Sequence, residues 1–208
     1  VIAAASNAGK IVAKAGGLTT RVIGQAMTGQ IVLRNVSDLV AVKKCLLHNE
    51  TLFFKTAETS YPSIYQRGGG LRSIAIRTFA EGYLSLDLVV DTKDAMGANI
   101  VNTMLEAVAQ EVRQLLTESD VLFSILSNYG TESLIEARCE LPFSQISAEL
   151  AEKIAAASDY SKLDPYRAVT HNKGIMNGVD AIILATGNDT RAVAAASHAY
   201  AARNGRYE

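Results

Sequence analysis

LRSIAIRTFAEGYLSLDLVVDTKDAMGANIVNTMLEAVAQEVRQLL, residues 71–116, decides the fold. Two β-like runs, Leu71 to Phe79 and Tyr83 to Val90, flank Ala80-Glu81-Gly82, which is hairpin length. A glycine-containing turn, Asp94 to Asn99, comes next. It feeds a segment in which Ile100, Val101, Met104, Leu105, Val108, Val112, Leu115 and Leu116 recur with a helical period, which predicts an amphipathic helix.

Outward from this stretch the alternation continues. Ile31 to Val36 predicts a strand, and Ser37 and Asp38 are capping residues for a helix through Leu39, Val40, Val42, Leu46 and Leu47 to about Lys55. Tyr61 to Gly70, with Pro62 and three consecutive glycines, predicts a loop, and Val121 to Leu126 a last strand. The order βαββαβ over about 30–127 is that of a ferredoxin-like split-βαβ unit.

The flanks differ in character. Residues 1–15 predict an alanine-rich helix closed by Gly16-Gly17, and Thr19 to Met27 reads as a connector. After Asn128 come a polar stretch, a β-like run ending at Pro142, a helix with Ile146, Leu150, Ile154 and Ala157, and a loop from Asp159 to Pro165. The expected architecture is therefore α+β: a ferredoxin-like small domain, 27–130, inserted into a larger, mainly helical domain made of 1–26 and 131–208.

Composition narrows the function. With 49% hydrophobic residues the chain can build a core, and a net charge of -1 without any Lys/Arg block argues against nucleic acid or anionic membrane as the main partner. Cys45 and Cys139 have no metal-ligand spacing and are expected to be reduced in a cytoplasmic protein; no metal is expected. No apolar run reaches the roughly 18 residues of a membrane span. The absence of an initial Met and the abrupt ends suggest an internal fragment.

HNKGIMNGVDAIILATGND, residues 171–189, carries the candidate chemistry. Lys173 and Asn177 lie among glycines and are expected in a loop. Ala181 to Leu184 reads as a strand, and a Thr-Gly-Asn-Asp turn sets Asp189 at the start of a helix over Thr190 to Arg203. A lysine can stabilise a developing oxyanion while a carboxylate orients it. Taken singly, a surface lysine and an N-capping aspartate are the commoner readings.

DPYRAVTHNKGIMNG (164–178) and ATGNDTRAVAAASHAYAARNG (185–205) resemble the catalytic core of 3-hydroxy-3-methylglutaryl-coenzyme A (HMG-CoA) reductases, specifically the class II bacterial form. VIAAASNAGKIVAKAGG (1–17) and DAMGANIVNTMLEAVA (94–109) match the same family, in the family order. The resemblance implies a four-electron, NAD(P)H-dependent reduction of HMG-CoA to mevalonate and free CoA, or the reverse, in the mevalonate route to isoprenoids. It implies Lys173, Asn177 and Asp189 as catalytic residues and Arg167 and Thr170 as HMG-CoA contacts. Asp94, Met96, Gly97, Asn99 and Asn128 would be cofactor contacts, because DAMGAN is the family's dinucleotide signature. On pattern alone, Asp94 to Asn99 is a capped βα turn.

The family reads the adenosine ribose just before the triple glycine. No acid lies between Tyr61 and Gly70, and Arg67 is close, which favours NADPH while leaving NADH possible. The small domain would hold the dinucleotide, the larger one HMG-CoA, and the site would lie at the interface of a homodimer. The family's catalytic glutamate falls upstream of residue 1 and its proton-donating histidine beyond residue 208, so the 208-residue piece is expected to be inactive alone. His171 reads as a structural donor, and His48 and His198 carry no role. Two other readings compete: a non-catalytic dinucleotide- or CoA-binding α/β module, and an RNA-binding split-βαβ domain. The latter needs exposed aromatics where Ile74, Ile76, Leu86, Leu88 and Ile125 stand, with only Phe79, Tyr83 and Phe123 to offer.

Overall fold

The computed structural model describes residues 2–207; Val1, where the first predicted helix begins, and Glu208 lie outside the described residues. In chain order the elements are α1 (Ile2–Lys14), β1 (Thr19–Gln25), β2 (Met27–Arg34), α2 (Leu39–His48), α3 (Glu50–Ser60), α4 (Pro62–Gln66), β3 (Gly70–Thr78), β4 (Leu84–Asp91), α5 (Ala98–Leu115), β5 (Asp120–Leu126), β6 (Ser133–Arg138), α6 (Ala148–Leu163), α7 (Pro165–Ala185) and α8 (Thr190–Ala201). The chain is thus mixed α/β with two sheets, and it divides into two compact units, 24–134 and 1–23 with 135–208.

In the unit 24–134 four strands run in the order β3-β4-β2-β5, each antiparallel to its neighbour. Alternation along the strands decides which face is dry. Ile31 and Leu33 of β2 and Leu84, Leu86, Leu88 and Val90 of β4 are fully buried, together with Val101, Met104, Leu105, Val108 and Val112 of α5 and Phe53 and Ala57 of α3. Each such large apolar side chain contributes about 1.5–3 kcal/mol through burial. Gly29 lets α5 lie on β2, because a Cβ there would stand 2.4 Å from Leu105 Cδ1. The opposite face is polar, with Gln30, Ser85, Asp87 and Arg77 joined by hydrogen bonds. Its Asp87 partner holds the Arg77 guanidinium above its ordinary pKa.

The helix expected from Leu39 to Lys55 is two helices, broken at Asn49, whose side-chain amide donates to the Cys45 carbonyl at 2.9 Å. Asparagine offers the backbone an alternative to the helical ladder, and the helix restarts behind it. The expected loop Tyr61 to Gly70 contains α4, started by Pro62 at its first position, where a missing N–H costs nothing. The strand expected at Ile31 begins at Met27. Thr19 to Met27 is not a connector: it supplies β1, paired with β6, and the start of β2. Six of its seven strand residues are exposed, so no inside–outside alternation marked it.

The other unit is helical apart from its portions of β1 and β6. α6 packs on α7, α7 on α8, and α1 on α7. The largest revision falls on α7. The loop expected around Lys173 and Asn177 and the strand expected over Ala181 to Leu184 are one continuous helix, with Asp164 as its N-cap and Pro165 at its first position. The loop expected from Asp159 shrinks to Asp164, because α6 runs on to Leu163. Ala168, Met176 and Ser161 are the buried side chains of this unit among the described residues, whereas Tyr166, Leu163, Phe143 and Leu184 are 70% exposed or more. Among the described residues no helix is long and apolar enough to cross a membrane.

Candidate functional site

Two constellations carry the candidate chemistry, one in each unit. The first surrounds the turn between β4 and α5. Gly97 is the N-cap of α5 with φ +88°, and no side chain caps the helix. Its carbonyl accepts the Val101 N–H at 3.0 Å, so the N–H groups of the first helical residues are left for another acceptor. A Cβ at residue 97 would lie 2.6 Å from Thr92 Cγ2, so only glycine lets the chain pass here. The result is a helix N-terminus of positive partial charge, open to an anion. Asp94, Met96 and Asn99 are exposed around it, with Met96 63% exposed.

Asn128 is exposed one residue beyond Ser127, whose N–H donates to the Thr28 carbonyl at 2.8 Å. The strand end before it is fixed by Asn102 of α5, whose side-chain oxygen accepts the Leu126 N–H at 3.0 Å. Asn102 thereby ties the Asn128 segment to the first turns of α5.

The turn is held from below by a carboxylate that sequence reading passed over. Asp91 accepts the Lys93 N–H at 2.9 Å and pairs with the Lys93 ammonium at 2.9 Å and the Arg72 guanidinium at 2.8 Å. Burial pushes its carboxyl up, but the hydrogen bonds from Arg72 and Lys93 outweigh that and bring it down to about 2. Nearby, an open depression of about 400 Å³ is lined by Ser60, Tyr61, Pro62, Ser63 and Gln66, none of them acidic. The Tyr65 hydroxyl oxygen accepts the Leu71 N–H at 3.1 Å, at the start of β3; burial raises its pKa against that bond.

The second constellation runs along α7. Thr170, Lys173 and Asn177 follow one another at spacings of three and four, so they share one face of the helix, with Arg167 three residues before Thr170. Arg167, Thr170 and Lys173 are exposed and Asn177 is half-buried. The Thr170 hydroxyl donates to the Tyr166 carbonyl at 3.0 Å. Asp189 caps α8, accepting the Arg191 and Ala192 N–H groups at 2.9 and 3.2 Å through Oδ1. Its Oδ2 has no hydrogen-bond partner among the described residues.

The helix therefore brings Lys173 and Asn177 together and does not bring Asp189 to them. Twelve residues of α7, about 18 Å, follow Lys173 before the turn that leads to Asp189. That is longer than a lysine side chain spans. Among the described residues no group of His, Cys, Asp and Glu is arranged to hold a metal. Asp91 had a sequence signal only in its place two residues before Lys93; the left-handed backbone of Lys93, φ +54°, has none.

A profile of the Hydroxymethylglutaryl-coenzyme A reductase family matches residues 1–207. The chain is 40% identical to the 3-hydroxy-3-methylglutaryl-coenzyme A reductase of Archaeoglobus fulgidus, over 99% of this chain and 48% of that protein. It is 42% identical to the probable reductase of Borreliella burgdorferi, over 68% of this chain and 34% of that protein. Among solved structures it is similar to the 3-hydroxy-3-methylglutaryl-coenzyme A reductase of Streptococcus pneumoniae, with a TM-score of 0.93 and 45% identity over the whole chain and 58% of that one. It is also similar to a class II reductase from Streptococcus pneumoniae bound to NADPH in open conformations, with a TM-score of 0.92, 44% identity and the same coverage. The chain thus spans half the length, or less, of the curated relatives it matches.

Proposed function

Because the chain belongs to the Hydroxymethylglutaryl-coenzyme A reductase family, we propose that it serves the NADPH-dependent reduction of HMG-CoA to mevalonate and free CoA, or its reversal. The observation that carries this reading is the α5 N-terminus, capped by Gly97 alone and open to a phosphate. NADPH, when bound, supplies the hydride. The residues present fit such a group: a cradle that a Cβ would fill at residue 97, uncommitted backbone donors, and no acid in the depression at Ser60 to Gln66 to repel a 2′-phosphate.

In this reading the unit 24–134, a ferredoxin-like domain by its strand order, binds the dinucleotide through Asp94, Met96, Gly97, Asn99 and Asn128. The helical unit binds HMG-CoA, with Arg167 as a bidentate partner for a carboxylate or phosphate and Thr170 beside it. Each hydride transfer to the substrate leaves negative charge on the former carbonyl oxygen. Lys173 stabilises that oxygen, and Asn177, one turn further along the same face, fixes the lysine.

Asp189 completes the set from a second copy. α7 holds it away from Lys173 of its own chain, its Oδ2 is uncommitted, and the helical unit leaves large apolar side chains exposed that a partner would cover. Gly174 and Gly178, in the interior of α7, have nothing within 4 Å of where a Cβ would stand. Helix-interior glycine costs about 1 kcal/mol relative to alanine, so a close approach from another chain would give these two a reason. The assembly in this reading is a cytoplasmic homodimer.

NADPH oxidation measured together with release of the CoA thiol, in a longer chain spanning the relatives' length, tests the reading. Two NADPH consumed per thiol released is the expected stoichiometry. NADPH binding without any HMG-CoA-dependent oxidation would leave the non-catalytic binding module instead.

A further inference from the structure

The triple-glycine turn and the turn that opens α5 are not independent. Gly70 pairs with Asp91 in the β3–β4 register, and a Cβ on Gly69 would stand 2.6 Å from the Asp91 carbonyl oxygen. The Asp91 side chain reaches both turns. Through Oδ2 it holds Arg72 at 2.8 Å, and the same guanidinium donates to the Gly68 carbonyl. Through Oδ1 it accepts the Lys93 N–H at 2.9 Å, while the Lys93 ammonium closes on Oδ2 at 2.9 Å.

Lys93 needs that hold. Its φ of +54° is a left-handed conformation that a side chain-bearing residue rarely adopts and keeps only where its surroundings impose it. Gln25 supplies the remaining restraint, donating from Nε2 to the Lys93 carbonyl at 2.9 Å. Every polar backbone group of residue 93 is therefore fixed by a side chain from a β-strand. From there the chain runs through Asp94 and Ala95 to Gly97, so the direction of Lys93 sets where the first N–H groups of α5 point.

We infer that Asp91 is a positioning residue for the dinucleotide: one carboxylate fixes the triple-glycine turn through Arg72 and the α5-opening turn through Lys93, and so sets the spacing between them. The inference rests on the functional reading above. Asp91 touches neither hydride nor acceptor; it acts through the two turns. At 16% exposure its side chain is shielded enough for these bonds to resist screening by solvent, whereas Arg72 and Lys93 are 47% and 37% exposed.

The test compares Asp91→Ala, Asp91→Asn and Gln25→Ala with the parent in direct titrations with NADPH and, separately, with HMG-CoA, on the full-length chain. Asp91→Ala is expected to weaken NADPH binding by about tenfold or more, since it removes bonds to charged partners. Asp91→Asn keeps an oxygen for the Lys93 N–H and recovers part of the loss. HMG-CoA affinity stays within about twofold in all three, a split that general destabilisation would not produce. Gln25→Ala alters an exposed side chain, and it carries the test if Asp91→Ala does not fold; a few-fold loss for NADPH alone is expected. NADPH affinity unchanged in the folded variants, or an equal loss for both ligands, overturns the inference and leaves the functional reading standing. A parent that binds no NADPH overturns both.

Discussion

Lys173 and Asp189 lie in the same run of sequence, yet α7 carries them apart by about 18 Å of helix. In the proposed dimer, a site that uses both draws them from different chains. Mixing equal amounts of Lys173→Ala and Asp189→Ala chains, each inactive alone, should then restore activity. Random pairing gives half mixed dimers, each with one intact site, so about a quarter of parental activity is expected. Zero recovery after verified subunit exchange would mean that the pair forms within one chain.

In the proposed site, Lys173→Ala removes a preorganised charge from the oxygen that gains electrons. A loss of about 10²–10³ in kcat is expected, with NADPH affinity unchanged, because the ammonium sits on α7 and not at the α5 turn. Steady-state rates and a fluorescence titration measure the two quantities separately.

The inner sheet was readable because its chemistry alternates. Ile31 and Leu33, and Leu84, Leu86 and Leu88, point to one dry face while Gln30, Ser85 and Asp87 point to the other. α7 is hidden from the sequence for the opposite reason. Gly174 and Gly178 look like loop residues, and Ile182-Ile183-Leu184 looks like a strand, but the Asp164 cap and Pro165 start a helix whose length absorbs both glycines. The resemblance groups Lys173 with Asn177, and the helix adds that they stand one turn apart on one face. Asp91 was illegible, since its role depends on the backbone of Lys93 and on Arg72, nineteen residues earlier in the sequence.

Gly97→Ala asks a side chain to occupy space already filled by Thr92, on a backbone with φ +88°. A destabilisation of about 1–3 kcal/mol and loss of NADPH binding are expected. Chemical unfolding reads the first and titration the second. The double variant with Thr92→Ser should recover little of the stability, because it removes only Cγ2 and leaves Oγ1 and Cβ of residue 92 at 2.7 and 2.8 Å from the new Cβ.

Asp91 also gives stability a pH dependence. Its carboxyl is lowered from 3.8 to about 2, so its contribution is complete above about pH 5 and drains away as pH falls through 3.8 toward 2. With half-exposed cationic partners, about 1–2 kcal/mol should be lost across that window. Urea unfolding followed by circular dichroism at pH 6, 4 and 3 should display this decline in the parent and a smaller one in Asp91→Asn.

The strands β1 and β6 lie side by side, with Ala26 donating to the Glu132 carbonyl at 3.1 Å and Thr19 bonded to Arg138 at their far end. The chain therefore leaves for residues 24–134 and returns from them through adjacent points. A segment whose two ends are neighbours behaves as a cassette: it can be cut out and closed with a short linker, or exchanged for the equivalent piece of a relative, without stretching the rest of the chain. In the proposed reading, cofactor preference travels with that single block of sequence.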